Sequence, residues 1–571
     1  MVLEGLKKLE YRGYDSWGIA CFDGEKLEVQ KEVGKIGDAR AEFSPSFIGL
    51  GQTRWATHGG VTRANAHPHF DCSREIAIVH NGIVENYQEI KKGFRRKHIF
   101  RSQTDTEVVA HLIEELLIDG RPFLEAVRMA FLKLEGLNAL VALRGESNQI
   151  IAVKKGAPLV AGIGESGNFI ASDFLGVVSH TRKIVFLSDN DLVSLEPKRA
   201  RLFSATSGKE KKLRAQEIKW EEKEESRGKF KHFLIKEIYE QSEVLKRIAE
   251  ERGPDVTYLS SLIKNSFGTY LVGCGTASYA CLAGTYFFSS IASYHLNFST
   301  GSEFNYLEDF ITPQSLVIGV SQSGETADII ESLTKAKAKK AKIAAVVNVV
   351  GSTLYRLSDF KVLIGAGQER AVLSTKAYIG QLAILLYTAF ALNGEQEKGK
   401  KMIEKAVRSL SYVLSVPSQK RIKRLAKLIY KREHIYVVGR GISYPAALEI
   451  ALKIKESSYI HAEGFASGEL KHGVIALIEK GIPCIVVATH DETYGASIAG
   501  GAELKARGGY IIGLSDANNE VFDYFIKVPY VGIASIIPNV VVGQTLAYRL
   551  SLLRKTDPDK PRNLAKSVTV K

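Results

Sequence analysis

Residues 315–333 read SLVIGVSQSGETADIIESL. An apolar run ends at Val320, the turn Ser321-Gln322-Ser323-Gly324 follows, and a helical pattern starts near Glu325–Ala327. Free backbone N–H groups and the positive end of a helix dipole would point at that turn. The hydroxyls of Ser321, Ser323 and Thr326 add neutral donors, so the turn suits a phosphate and needs no lysine, unlike an ATP-binding P-loop. An ordinary helix cap would use one serine, whereas Ser-Gln-Ser-Gly-Glu-Thr supplies more hydroxyls than a cap requires. Further along, ALKIKESSYIHAEGFASGELKHG sets Lys453 and Glu456 three apart on one face of a helix. That spacing alone fits a surface ion pair better than a base with an assisting cation. His80-Asn81-Gly82 alone reads as a hairpin turn.

These groups need elements to hold them. Residues 1 to about 200 carry short β-type runs such as Ile19–Phe22, Ile76–Val79, Leu140–Ala142 and Ile150–Val153, interrupted by helical patterns, clearest at Thr106–Leu117. This is an α+β composition rich in antiparallel sheet. The stretch LRAQEIKWEEKEESRGKFKH is charged and patternless, as a linker is. From Phe233 onward, apolar runs alternate with long helical patterns, which predicts parallel sheets with crossover helices. The alternation restarts after about residue 425. VGCGTAS is echoed by VGRGISY, with Gly273 matching Gly439, so two copies of one α/β domain are expected. The predicted boundaries are 1–213, a linker at 214–232, α/β domains at 233–408 and 409–556, and a tail at 557–571.

The chain has 571 residues, 45% hydrophobic and 25% charged, with a net charge of +14. That suggests roughly three soluble domains. The basic runs at 91–97, 335–342 and 398–405 lie in or beside helical patterns, where solvated faces are the plain reading. No nucleic-acid-binding signature accompanies them, and small anionic substrates would also suit a basic protein. Five widely spaced cysteines make no disulfide framework and no metal-ligand spacing, so reduced core residues of a cytoplasmic protein are expected. No uncharged apolar run is long enough to span a membrane.

SQSGETAD, GCGT, STKAY, YIHAE, GELKHG and PRNLAKSVTV together resemble the glutamine–fructose-6-phosphate aminotransferases, along essentially the whole chain from LEYRGYDS onward. The resemblance implies a multidomain fold: an α+β N-terminal-nucleophile amidotransferase sandwich (αββα), then two α/β sugar-isomerase (SIS) domains with parallel sheets. It implies conversion of fructose 6-phosphate and glutamine to glucosamine 6-phosphate, with no cofactor and no metal. Sugar-phosphate contacts would come from Gly275, Thr276, Ser321, Gln322, Ser323, Thr326, Val372, Ser374 and Ala565. Lys566 would form a Schiff base with the ketose carbonyl, Glu456 would move the proton between C2 and C1 with Lys453 assisting, and His472 would open the sugar ring from a partner subunit, which implies a homodimer.

TRWATHGG and VHNGIVENY resemble the family's amidotransferase domain. The implied glutamine pocket holds Arg54 for the α-carboxylate, Asp105 for the α-ammonium, and Asn81 with Gly82 as an oxyanion hole. Thr57, His58 and His67 belong to the same pocket, Arg12 lies near the nucleophile, and Trp55 gates ammonia passage. The family's nucleophile is an N-terminal cysteine that would fall upstream of Met1, and Cys21 does not occupy its position. The chain as written is thus expected to lack glutaminase activity, through either a misassigned start or a real loss, leaving ammonia-dependent amination, isomerisation or deamination open. Absence of the first strand is also expected to leave a sheet position open. A non-catalytic sugar-phosphate sensor is a further alternative, which Glu456, His472 and Lys566 disfavour. Ala277 and Leu373 depart from the family pattern and bear on sugar preference.

Overall fold

The computed structural model describes residues 1–217 and 226–569, so part of the predicted linker lies outside the described residues. The chain divides into two compact units, Met1–Glu224 with Asn563–Lys571, and Glu225–Arg562. The predicted tail 557–571 is therefore shared out, with its last part belonging to the first unit.

The first unit begins with helix α1 (Val2–Leu9), which buries Leu6 and Leu9. Three antiparallel strands follow, β1 (Ser16–Phe22), β2 (Leu27–Val33) and β3 (Ile48–Arg54), ordered β2-β1-β3. Next come β4 (His69–Phe70), β5 (Ile76–Gly82), α2 (Tyr87–Lys92), α3 (Glu107–Ile118), α4 (Phe123–Leu132), β6 (Asn138–Arg144), β7 (Gln149–Lys155), β8 (Val160–Ile163), β9 (Asn168–Ala171), β10 (Lys183–Phe186), β11 (Asp191–Glu196), β12 (Arg199–Ser204), β13 (Glu210–Lys211) and β14 (Gln216–Glu217). They form a four-stranded sheet β14-β10-β8-β9 and a seven-stranded sheet β13-β12-β11-β7-β6-β5-β4.

Side-chain alternation along β5 explains the layering. Ile76 and Ile78 pack with Val109, Ile113 and Val127 of α3 and α4. Ala77 and Val79 point the other way, into a core with Ala20, Leu50, Ala161 and Val185 from the two smaller sheets. On the far side, Leu6 of α1 packs with Trp17 and Ile19 of β1. The result is helix, sheet, sheet, helix. Among the described residues β3 pairs with β1 and β9 with β8, and residues of both line one cavity.

In the second unit, two five-stranded parallel sheets have the same topology. In spatial order the first runs Asn297–Thr300, Thr269–Gly273, Leu316–Ser321, Lys342–Val347, Phe360–Leu363, and the second runs His461–Ala466, His434–Gly439, Pro483–Val487, Tyr510–Ser515, Tyr524–Lys527. The expected duplication is present. Its marker glycines share one constraint: a Cβ on Gly273 would lie 2.8 Å from the Ala277 carbonyl oxygen, and one on Gly439 would lie 2.0 Å from that of Ser443. The boundary expected at 408–409 falls inside helix Gln396–Val413, an amphipathic helix whose Ile403, Ala406 and Leu410 belong to the common core. That core runs through both halves, from Leu271 and Ile318 to Ile435 and Ile485.

Gly532–Leu553 is long and apolar enough to cross a membrane, but 83% of its most apolar window is buried inside the protein. It is a core helix, as is Lys376–Leu392. Leu385 on the latter is fully buried. Leu385→Ala is expected to destabilise the second unit by about 2–5 kcal/mol through lost transfer energy and a residual cavity, measured by denaturant unfolding.

Candidate active sites

In the second unit, both sheets have their topological switch beside the first strand of the half, where loops from neighbouring strands diverge and ligands characteristically bind. In the first half the diverging loops are Cys274-Gly275-Thr276, after Thr269–Gly273, and Ser321–Thr326, after Leu316–Ser321. The Ser321 Oγ accepts the Gly324 N–H at 3.0 Å, and the Ser323 Oγ accepts the Glu325 N–H at 3.1 Å. Gly324 has φ +66°, and a Cβ there would lie 2.1 Å from the Ser352 Oγ, so this bend requires glycine. Thr326 is the N-cap of helix Ala327–Ala338, yet its side chain makes no capping bond. The turn thus keeps the strand, hydroxyl-rich bend and helix start read from the sequence.

Helix Ser443–Ser458 of the second half brings three ionisable groups to Thr276 of the first. The Lys453 ammonium donates to the Thr276 Oγ1 at 2.8 Å and to the Glu456 carboxylate at 2.6 Å, with Glu449 at 3.3 Å. Lys453 and Glu449 are 1% and 0% exposed, so the pair is no surface ion bridge. Burial raises the Glu449 carboxyl to about 8. Burial also opposes the charge on Lys453, but Glu449 and Glu456 outweigh it and hold the ammonium above its ordinary value. Near neutrality, Lys453 is therefore charged and held by Glu456, while Glu449 keeps its proton. Glu449 was missed in the sequence reading, although its i,i+4 spacing from Lys453 was a usable signal.

Glu369, also missed, is 5% exposed. Its carboxylate accepts the Thr375 and Ala377 N–H groups at 2.8 and 3.2 Å and the Ser374 hydroxyl at 3.2 Å. It fixes the turn carrying Val372 and Ser374, while the Val372 N–H donates to the Asp559 carbonyl at 2.9 Å. His472 ends the 3-10 helix Ser467–His472 and is exposed. Ala565 and Lys566 lie in the first unit, where the Lys566 N–H donates to the Tyr11 carbonyl at 3.1 Å.

The first unit contains a cavity of ≈ 790 Å³ whose lining includes Arg12, Arg54, Trp55, Thr57, His67, Asn81, Gly82 and Asp105. His58 is the exception among the expected pocket residues. Its side chain does not line the cavity and sets its ring edge-on to Tyr87 at 5.7 Å, while its carbonyl accepts from the Arg54 guanidinium, as do those of Gly59 and Gly60 at 3.2 and 3.3 Å. Arg54 is thus occupied by backbone carbonyls here. Arg12 donates to the Ser172 carbonyl at 3.1 Å, and its buried Nη2 has no hydrogen-bond partner among the described residues.

Gln52 ties β3 to β5: its amide donates to the His80 carbonyl at 2.8 Å and accepts the His80 N–H at 3.0 Å. The His80 ring is held by Thr106 at 3.0 Å and Asn138 at 2.8 Å. Burial keeps His67 far below its ordinary pKa, hence neutral, and its Nδ1 lies 3.3 Å from the His80 N–H. Gly82 has φ +143°, and a Cβ there would sit 2.1 Å from the Leu137 carbonyl oxygen. Asp105 accepts the Val84 N–H at 2.7 Å, and the Asn81 Oδ1 accepts the Thr569 hydroxyl at 3.3 Å. Cys21 also lines the cavity, but burial, with Glu28, pushes its thiol up. It stays protonated near neutrality and is a poor nucleophile.

The raised Glu449 carboxyl has a stability consequence. Between the ordinary carboxyl value of 4.5 and about 8, the folded state holds a proton that the unfolded state releases. Stability of the second unit is expected to fall as pH rises through this window and to level off above it. Lys453, shifted upward, adds stability that is fully present below its ordinary value of 10.5 and is lost only as pH rises above it, so it does not shape this window. Glu449→Gln should flatten the fall, as read by thermal unfolding from pH 5 to pH 9.

A family model described as SIS domain matches residues 262–391 and 428–523, and one described as glutamine amidotransferase domain matches 26–132. The glutamine–fructose-6-phosphate aminotransferase (isomerizing) of Pyrococcus horikoshii is 40% identical over 583 residues, covering 100% of this chain and 97% of the relative. That of Thermotoga maritima is 39% identical over 596 residues, with the same coverage. Among solved structures, the C-terminal domain of the glucosamine-fructose-6-phosphate aminotransferase from Francisella tularensis is similar at 32% identity and a TM-score of 0.54, covering 59% of this chain and all of that one. A structure from Silicibacter pomeroyi described as a "putative phosphosugar isomerase", at 21% identity and TM-score 0.50 over 57% of this chain and all of its own, shares the fold of the parallel-sheet unit. With its amidotransferase-type sandwich, its paired SIS halves and these full-length relatives, the chain belongs to the isomerizing glutamine–fructose-6-phosphate aminotransferase family.

Proposed function

We propose that the protein converts fructose 6-phosphate and glutamine to glucosamine 6-phosphate and glutamate, the glutamine half-reaction requiring a nucleophile that Cys21 does not supply, so that the chain as written draws its nitrogen from ammonia. One observation carries this reading: a hydroxyl-rich turn at a topological switch point, accompanied by buried Lys453 and Glu449, with half-buried Glu456 beside them, that reach Thr276 of the neighbouring loop. A sensor would need the turn alone.

The phosphate sits on Ser321, Gln322, Ser323 and Thr326, with Gly275, Thr276, Val372, Ser374 and Ala565 around the sugar. Lys566 forms an imine with the ketose carbonyl at C2, releasing water. Ammonia replaces the lysine nitrogen. Glu456 then takes a proton from C1 and returns it to C2, which leaves an aldehyde at C1 and the amine at C2. Lys453 steadies the oxygen that changes charge, and its partner Glu449, neutral, can donate without adding negative charge. His472 opens the sugar ring, and its exposure suits delivery to a partner subunit in a homodimer. In the first unit, Arg54 binds the glutamine α-carboxylate once it exchanges its loop carbonyls, and Asp105 binds the α-ammonium. Asn81 and Gly82 stabilise the oxyanion, with Arg12, Thr57 and His67 shaping the pocket and Trp55 gating ammonia, while His58 acts only through its carbonyl on Arg54. Five free cysteines suit a reducing compartment, the cytoplasm.

The test is formation of glucosamine 6-phosphate from fructose 6-phosphate, with glutamine and with ammonium salt as separate nitrogen donors. Glu456→Gln is expected to lower turnover about 10²–10⁴-fold while leaving sugar-phosphate binding intact. Lys566→Arg keeps the charge but cannot form the imine, and should abolish turnover. Unchanged turnover in Lys566→Arg would overturn the imine step.

A further inference from the structure

Outside both sites, four potential ligands from three parts of the first unit converge: Cys72, His98, His111 and Glu114, with one donor atom from each lying within 4.8 Å of the others. Cys72 lies in the turn between β4 and β5, His98 in the segment joining α2 to α3, and His111 and Glu114 on α3. The sequence showed no metal spacing because Cys72 is 26 positions from His98 and 39 from His111, far beyond zinc-finger intervals.

The two sulfur–nitrogen and two nitrogen–oxygen distances are compatible with tetrahedral coordination. The Cys72 Sγ lies 3.5 Å from the His98 Nδ1 and 3.6 Å from the His111 Nδ1. The Glu114 Oε2 lies 3.0 Å from the first imidazole nitrogen and 2.9 Å from the second. Tetrahedral zinc, with bonds of about 2.3 Å to sulfur and about 2.0–2.1 Å to nitrogen, sets sulfur and nitrogen about 3.5 Å apart, and nitrogen and oxygen about 3.3 Å apart. Only a few tenths of an ångström of expansion on the carboxylate side are needed.

The surroundings also fit. The outward His98 Nε2 faces Glu115 at 3.5 Å, as the second nitrogen of a metal-bound imidazole typically faces a carboxylate, while the outward His111 Nε2 lies 3.9 Å from Glu107, beyond hydrogen-bond distance. The Ile99 N–H donates to the Cys72 sulfur at 3.4 Å, and Arg101 holds the Asp71 and Cys72 carbonyls at 3.2 and 3.1 Å. Phe94 and Phe100 pack on His98 and His111, each with ring centroids 4.6 Å apart. The His98 and His111 side chains are 3% and 0% exposed.

We infer that Cys72, His98, His111 and Glu114 form a structural site for a zinc-class divalent ion. A thiolate with two imidazoles disfavours magnesium and calcium, and four protein ligands leave no position for substrate, so the ion is structural rather than catalytic. Its role follows from what it joins. The segment 93–106 has no helix or strand, yet it carries Thr104, Asp105 and Thr106 to the cavity wall. Binding at His98 staples that segment to α3 and to the β4–β5 turn. The inference does not depend on the proposed reaction.

The full chain, purified without chelator, should hold one equivalent of zinc per chain through gel filtration. After chelator stripping, added Co²⁺ should give tetrahedral visible bands and a thiolate charge-transfer band. Cys72→Ser should lose the thiolate band and Cys21→Ser should keep it, while zinc should raise the unfolding midpoint of the wild type. Failure of the wild type to retain zinc after Zn²⁺ addition, or a cobalt spectrum without the thiolate band, overturns the inference. So does the same thiolate band in Cys72→Ser. Should that variant misfold, the wild-type stoichiometry and cobalt spectrum decide alone.

Discussion

Lys453 cannot be buried alone. An ammonium removed from water costs several kcal/mol unless carboxylates and hydroxyls replace its hydration. Here the replacements are Glu456 and Glu449 on its own helix and Thr276 from the other half of the unit. The shared core from Leu271 to Ile485 holds the two halves close enough for the 2.8 Å contact to form. Two carboxylates around one ammonium leave a surplus negative charge, and the more deeply buried Glu449 avoids it by keeping its proton. One charge constraint thus links the docking of the halves, the register of helix Ser443–Ser458 and the protonation state of the site.

The first unit solves a different problem, that of keeping polar groups organised around a large cavity. Gln52 bridges β3 and β5, His80 anchors its strand to Thr106 and Asn138, and Gly82 allows β5 to pass the Leu137 carbonyl. None of these three interactions needs a net charge. They set the positions of Asn81 and Asp105 by geometry, whereas Arg54 spends its charge on three carbonyls of the neighbouring loop.

Legibility in the sequence followed the source of each element's stability. The interior parallel strands are apolar on both faces, so Leu316–Ser321 and Pro483–Val487 stood out as runs. The edge strands Asn297–Thr300 and His461–Ala466 are largely half-buried or exposed and gave no run. The Ser321–Thr326 turn was readable because its chemistry is local. The burial of Lys453 was not, since spacing along a helix cannot say whether that face meets solvent or another domain half. The charged run 398–405 does lie on the solvated face of a helix, as its pattern suggested, but that helix continues through the boundary expected near residue 408. The residues around Cys72 were invisible because tertiary folding alone brings them together.

The two SIS halves share a strand order and a marker glycine, yet they have diverged into complementary parts. One half keeps the hydroxyl-rich turn, and the other presents Glu449, Lys453 and Glu456. Duplication here has produced dependence rather than redundancy. Damage to one copy cannot be compensated by its sibling, because neither retains the other's chemistry. Recombination that exchanged single halves between relatives would have to preserve Thr276 together with the three residues facing it, so these four positions form a heritable block although 173 residues separate Thr276 from Glu449.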